Sequence, residues 1–201
     1  MPPEPRILAF DTSAAHCAAA LLCGDRPLLT RVEDMGRGQS ERLVPMLEEM
    51  LSEAGLGWPD LDAIGVGIGP GNFTGIRIAV ATARGLSLAL GIPAIGVSGF
   101  EAACPAPAGP CTVVIDAPRD QVYLQRPGEP WDAPRLASAE EALALHGPVI
   151  RHSEISVAER VANVARLARD RRAAPHPRPA PLYVRAADAA PSRDAPPPIL
   201  P

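Results

Sequence analysis

Gly65-Val66-Gly67-Ile68-Gly69-Pro70-Gly71-Asn72-Phe73-Thr74-Gly75-Ile76-Arg77 lies between an apolar run that reads as a buried strand and a segment whose apolar residues recur at helical spacing. Glycine admits positive φ and close backbone approach, and the first amides of a helix attract an anion. The stretch therefore reads as a loop shaped for a phosphate or for a partner's backbone. The competing reading is a strand-to-helix turn held by glycine, and the residues alone leave both open. No lysine follows the glycines, as a Walker A loop requires, so the stretch resembles no nucleotide-hydrolysing site. Arg77, one turn into the helix, suits a carboxylate or phosphate, or stands as an ordinary solvated arginine. Gly69, Pro70, Gly71, Phe73, Thr74, Gly75 and Arg77 are thus the candidate contacts with an anion or a partner.

Working outward, residues 61–67 predict a buried strand, 75–90 a helix closed by Gly91, and 92–97 another strand. Ser98 with Glu101 forms a capping box that starts a further helix. Upstream, 7–10, 18–23 and 27–33 predict three strands, the last two joined around Gly24-Asp25 as a hairpin. Leu43, Val44, Leu47, Met50, Leu51 and Ala54 then recur at helical spacing up to Gly55, with Pro45 expected either to kink that helix or to mark its first turn. The order β-β-β-α-β-α-β-α gives a mixed sheet with helices on its faces, the order of a ribonuclease H-like half-domain.

Proline marks the boundary of that half. Of 25 prolines, 17 follow residue 100, and Cys104-Pro105-Ala106-Pro107-Ala108-Gly109-Pro110-Cys111 continues neither a helix nor a central strand. The reading is an N-terminal lobe over 1–102, a smaller lobe over 103–190 and a proline-rich tail over 191–201. In the smaller lobe, 112–117, 122–125 and 148–152 predict strands and 156–172 a helix; beyond 173 the chain reads as mostly extended or disordered.

Composition narrows the chemistry. The 201 residues are 47% hydrophobic, enough for one large core or two small ones. A net charge of −4 gives no long-range pull on a polyanion, so any role with RNA is expected to be indirect. All 19 basic residues are arginine, which excludes Schiff-base catalysis by lysine. Cys17, Cys23, Cys104 and Cys111 form no CxxC pair, and His16, His146, His152 and His176 no HExxH, so no metal ligand is assigned. No apolar run approaching the ~18 residues of a membrane span and no signal peptide are read, so a cytoplasmic chain with reduced thiols is expected.

Two aspartates end the first strands of the two halves, Asp11 and Asp116. Paired carboxylates there suit a metal-nucleotide cleft; the favoured reading is a pair of turn-forming aspartates, because no glycine-rich phosphate hairpin follows either one. Ser13, Ser40 and Cys17 have no histidine at a triad spacing, so no catalytic residue is assigned. The helix after the glycine loop is rich in small residues, and Ala79, Ala83 and neighbouring Gly85 or Ala89 would let another backbone approach closely; together with the helix near 41–54 it offers more apolar surface than one small sheet needs. Arg42, Leu43, Met46, Leu47, Met50, Ala79, Ala83 and Leu86 are accordingly the interface candidates, against the alternative that they pack on their own sheet.

Phe10-Asp11-Thr12-Ser13, Gln39-Ser40-Glu41-Arg42-Leu43-Val44-Pro45, the stretch 67–77, Gly91-Ile92-Pro93 and Gly96-Val97-Ser98 with Glu101-Ala102 together resemble the TsaB (YeaZ) family. Weaker echoes are Ile115-Asp116-Ala117, Gln121-Val122-Tyr123 and Pro181-Leu182-Tyr183-Val184-Arg185, similar to a closing PxYxR element. The resemblance implies an ASKHA fold of two lobes, the second reduced, in an inactive relative of TsaD, the threonylcarbamoyl transferase acting on tRNA. It further implies a homodimer, or a heterodimer with TsaD, through helices 41–54 and 75–90, with the ATPase TsaE joining that assembly. RNA is then met only through the complex, no membrane is involved, no cofactor is expected, and a nucleotide is left open only at a subunit boundary. The histidine pair that holds metal on TsaD's first helix has no counterpart here. Gln39 stands where the family usually has histidine, and Pro118 and Asp120 intrude where arginine and glycine are common. The rival classes are a glycoprotease-like metallopeptidase and an ASKHA small-molecule kinase.

Overall fold

A computed structural model describes residues 4–105, 111–127 and 132–184. The tail read over 191–201 and Arg185 lie outside the described residues. Strands β1 (Arg6–Asp11), β2 (His16–Cys23) and β3 (Arg26–Asp34) form an antiparallel meander. Strands β4 (Ala63–Gly67) and β5 (Ala94–Val97) add to it in parallel, giving the order β3-β2-β1-β4-β5. That is the ribonuclease H-like order expected from the succession of elements. β4 is buried along its whole length, as a parallel strand covered on both faces must be.

One face carries helices α1 (Gln39–Glu53) and α2 (Phe73–Leu90). Leu8, Phe10, Leu21, Ile64 and Val66 from the sheet meet Leu43, Met46, Leu47, Met50, Ile76, Ala79 and Ala83 from these helices in one buried cluster. Pro45 sits in the second turn of α1, where its missing N–H removes one helical hydrogen bond without ending the helix. Gly91 closes α2 at φ 68, the left-handed conformation that a Cβ resists. The 18 residues of α2 have a mean hydropathy of 1.3 and include two arginines, so by length and composition this helix could cross a membrane. The expectation that no such run exists is thus corrected; one face of the helix is buried on the sheet.

The opposite face is covered by α5 (Val157–Arg171), whose Val161, Val164, Ala165 and Ala168 pack on Ile7, Ala9, Ala18, Ala20 and Ala63. Sequence placed this helix with the second lobe; the structure lays it on the first sheet. The reason is steric. Ala9, Ala18, Ala20 and Ala63 keep the middle of this sheet face shallow, and a Cβ at Gly65 would come within 3.0 Å of Ala168 and of Ala9, so only a closely approaching helix fills the space.

After the short helix α3 (Gly99–Ala103), a second sheet contains β6 (Thr112–Ala117), β7 (Gln121–Gln125), β8 (Arg135–Ser138) and β9 (Val149–Arg151) in the order β8-β7-β6-β9. β6, β7 and β8 are antiparallel and β9 runs parallel to β6, so the second sheet repeats the first four strands of the first. β8 and helix α4 (Ala139–Leu143), capped by Ser138, are additions to the sequence reading.

Candidate functional site

The glycine loop is read most directly from what lies against it. Asn72 caps α2, its side chain accepting from the Gly75 amide at 2.9 Å, while its own amide donates to the Ser13 carbonyl at 2.6 Å. The buried Thr12 hydroxyl donates to the Gly75 carbonyl at 2.7 Å. A Cβ at Gly75 would collide with the Thr12 carbonyl oxygen, and one at Gly71 with the Ser13 carbonyl. Gly69 adopts φ 94 before a cis peptide to Pro70. Gly71 and Gly75 are therefore required by the chain's own Asp11-Thr12-Ser13 turn, Gly69 by its positive φ and the Ile76 side chain, and two of the amides that might have held an anion are already engaged.

Behind this turn the two lobes meet around polar groups. The Asp11 carboxylate accepts from the Ser13 amide at 2.9 Å, the Ser13 hydroxyl at 2.7 Å and His16 Nε2 at 3.0 Å. Burial works to raise the Asp11 carboxyl, but the hydrogen bond and charge of His16 and the bonds from Ser13 hold it below its ordinary value. The turn-forming role expected of Asp11 is observed in its bond to the amide two residues on. Asp116 stands exposed at the corresponding end of β6.

His152 and Arg160 close the cleft from the far side. Arg160 Nη1 donates to the carbonyls of His152, at 2.9 Å, and Ile155. Burial and the Arg160 charge push the His152 imidazole down to about 4, against the smaller opposing effects of Asp11 and Asp116. The cavity bounded by Asp11, His16, Ser98, His152 and Arg160 measures about 20 Å³, room for one water, whereas small-molecule sites run to ~300–1,000 Å³. The sequence reading missed His16, His152 and Arg160 as cleft residues. The β1–β2 hairpin carried a signal for His16, five residues after Asp11; nothing in the spacing announced the other two.

The interface candidates fall differently. Leu43, Met46, Leu47, Met50, Ala79 and Ala83 are fully buried in the first lobe's core, and Leu86 packs half-buried at its margin. Arg42 is held by Glu33, through Nε at 2.7 Å and Nη2 at 2.6 Å, and by Glu49. The buried side chains cannot meet a partner in this form, because the sheet face they cover needs them. What α2 exposes is another stripe, Phe73, Arg77, Ala81, Arg84, Gly85, Leu88 and Ala89, with Leu88 87% accessible.

At the start of that stripe the chain's last described segment returns. Leu182 N donates to the Ile68 carbonyl at 2.8 Å, and Tyr183 stacks on Phe73 with ring centroids 5.2 Å apart. The Arg77 guanidinium lies 3.7 Å from the Phe73 ring centre and donates from Nε to the Tyr183 hydroxyl at 2.8 Å. Phe73 and Tyr183 are nonetheless 45% and 44% exposed, so this cluster is open to an incoming surface. Tyr183→Phe keeps the stack and loses the bond, and should cost about 0.5–1 kcal/mol, read as a lower urea midpoint at unchanged slope.

The chain is similar to several known proteins. A family profile described as TsaD, tRNA N6-adenosine threonylcarbamoyltransferase, matches residues 33–143. The tRNA threonylcarbamoyladenosine biosynthesis protein TsaB of Haemophilus influenzae is 35% identical over 126 residues, covering 60% of this chain and 52% of that protein. The matched part thus spans no more than about half the length of the first curated relatives. An uncharacterised protein of Mycobacterium tuberculosis H37Rv is 35% identical over 205 aligned residues, covering 92% of this chain and 94% of its own. Among solved structures, YeaZ from Pseudomonas aeruginosa superposes with a TM-score of 0.65 at 28% identity, covering 89% of this chain and 99% of that one.

Proposed function

Because the chain belongs to the TsaB (YeaZ) family of tRNA threonylcarbamoyladenosine biosynthesis, we propose that it is a non-catalytic cytoplasmic subunit that docks a TsaD-type transferase and prepares the pair for TsaE. The observation that carries this reading is the open stripe of α2. Small residues at Ala81, Gly85 and Ala89 let another helix approach closely, Leu88 supplies an apolar anchor, and the Phe73–Arg77–Tyr183 cluster offers the aromatic and arginine contacts that dominate interfaces. Self-association would use the same stripe in place of the transferase, and RNA would be met through the assembled complex.

The absence of bond chemistry is supported by the state of the cleft. Asp11 is tied to Ser13 and His16, the cavity holds a single water's volume, and the glycine loop grips its own chain. Leu88→Arg should leave the melting temperature within about 1 °C, since the side chain is solvent-exposed, and weaken association with the transferase at least ~10-fold in size-exclusion or titration experiments. A bulky residue at Ala79 or Ala83 would instead test packing. A reconstituted reaction with TsaD, TsaE, ATP, threonylcarbamoyl-adenylate and tRNA should stop when this chain is omitted. Full turnover without it, or tight Mg-ATP binding by the isolated chain, would overturn the reading.

A further inference from the structure

Cys104 and Cys111 bring their sulfurs to 3.9 Å at the joint between the lobes. Cys104 caps α3 and is buried; Cys111 immediately precedes β6 and is part-exposed. Both adjoin the apolar cluster of Phe100, Val113 and Ile115 that connects α3 to the second sheet. The other two cysteines lie elsewhere, Cys17 facing the Gln39 carbonyl and Cys23 facing Glu4.

We propose that Cys104 and Cys111 form a reversible dithiol–disulfide site whose oxidising partner is a low-molecular-weight disulfide of the glutathione type. A protein disulfide needs sulfurs at about 2.05 Å, so side-chain rotation with a shared movement of about 2 Å closes the gap. The part-exposed Cys111 attacks first: its thiolate bonds to one sulfur of the small disulfide, whose own S–S bond breaks and releases a small thiolate that takes up a proton. Cys104 then gives up its proton and attacks the Cys111 sulfur, expelling the second small thiol. Two protein thiols lose two electrons and two protons, and the small disulfide is reduced to two thiols. Burial pushes the Cys104 thiol up to about 11 and keeps it from attacking first; in the resolving step the 3.9 Å approach of the two sulfurs offsets its small thiolate fraction. Because α3 packs on α5 while β6 is an inner strand of the second sheet, the bond is a covalent latch between the lobes.

The full chain, reduced and then incubated with excess oxidised glutathione at mildly alkaline pH, should fall from four titratable thiols to two. Tryptic peptide 85–119, which holds both cysteines between consecutive arginines, should become lighter by two hydrogen atoms and recover with dithiothreitol. Closing this short ring should raise the melting temperature by about 5–10 °C. Cys111→Ser should keep its three thiols under the same treatment, and Cys17→Ser should lose two of its three. Survival of all four thiols in the parent chain, a mixed disulfide that stops on Cys111, or a bond between two chains would overturn the assignment. A bond that forms without raising the melting temperature would overturn the latch.

Discussion

Gly75→Ala should destabilise the chain by about 3 kcal/mol or more, lowering the melting temperature by roughly 6–12 °C. The added methyl would come within 1.9 Å of the Thr12 carbonyl oxygen, a backbone atom rather than the far end of a flexible side chain. Thr12 is fully buried and its hydroxyl holds the Gly75 carbonyl, while Asn72 grips the Gly75 amide from the other side. Relief therefore requires moving the first turn of α2 away from the end of β1, which also breaks the Asn72–Ser13 backbone bond. Gly85→Ala gives the contrast: no atom lies within 4 Å of its would-be Cβ, so a change from Gly to Ala inside α2 should stabilise by about 0.5–1 kcal/mol. Thermal melts of the two variants decide the matter. A Gly75→Ala protein that melts with the parent would mean that the loop does not bind the lobe's two halves together.

The same contacts explain how much of the molecule was legible in the sequence. The first lobe's strand order followed from local patterns, because hairpin turns and helix stops such as Gly91 are written in neighbouring residues. Ser98 with Glu101 was recognisable as a cap for the same reason, and both halves of its box are formed. The allegiance of α5 was not legible. Its apolar stripe fits either sheet, and only the alanine-lined face of the first sheet, with Gly65 beneath Ala168, decides between them. The glycine loop was the opposite case: its prominence was plain, yet its two explanations differ only in what lies opposite, and that is the Asp11-Thr12-Ser13 turn more than fifty residues earlier.

The interface candidates were ambiguous in the sequence for a related cause. Small residues at helical spacing mark close packing without saying against what. On α2, Ala79 and Ala83 face the sheet, while Ala81, Gly85 and Ala89 face outward, so both faces of the helix are built for close approach. The strand order repeats in the two sheets, and Asp11 and Asp116 stand at matching strand ends; among the described residues Asp11 is the one hydrogen-bonded to a histidine, His16 on β2 opposite its turn.

Acidification should weaken the fold through His152. Its imidazole is pushed down to about 4 in the folded chain from an ordinary value of 6.5, so between those values the unfolded chain binds a proton that the folded chain refuses. Stability is then fully present above about 6.5 and is lost as pH falls toward 4, with a limiting slope of about 1.4 kcal/mol per pH unit. Discounted for the partial exposure of the ring, the loss between pH 7 and pH 4.5 should be about 2 kcal/mol. The groups facing the ring set the sign. Arg160 on α5 repels the imidazolium, and so does His16 when charged, whereas Asp11 and Asp116 attract it less strongly than burial and Arg160 oppose it. Asp11 acts in the same direction lower down: its depressed carboxyl stabilises the fold above the ordinary value of 3.8, and that contribution goes as pH falls through the folded-state value. His152→Asn keeps the backbone carbonyl that receives Arg160 and cannot take up the proton. Urea unfolding at pH 7 and 4.5 should therefore show the parent losing about 2 kcal/mol more than the variant. Equal losses in the two proteins would place the acid sensitivity outside the cleft.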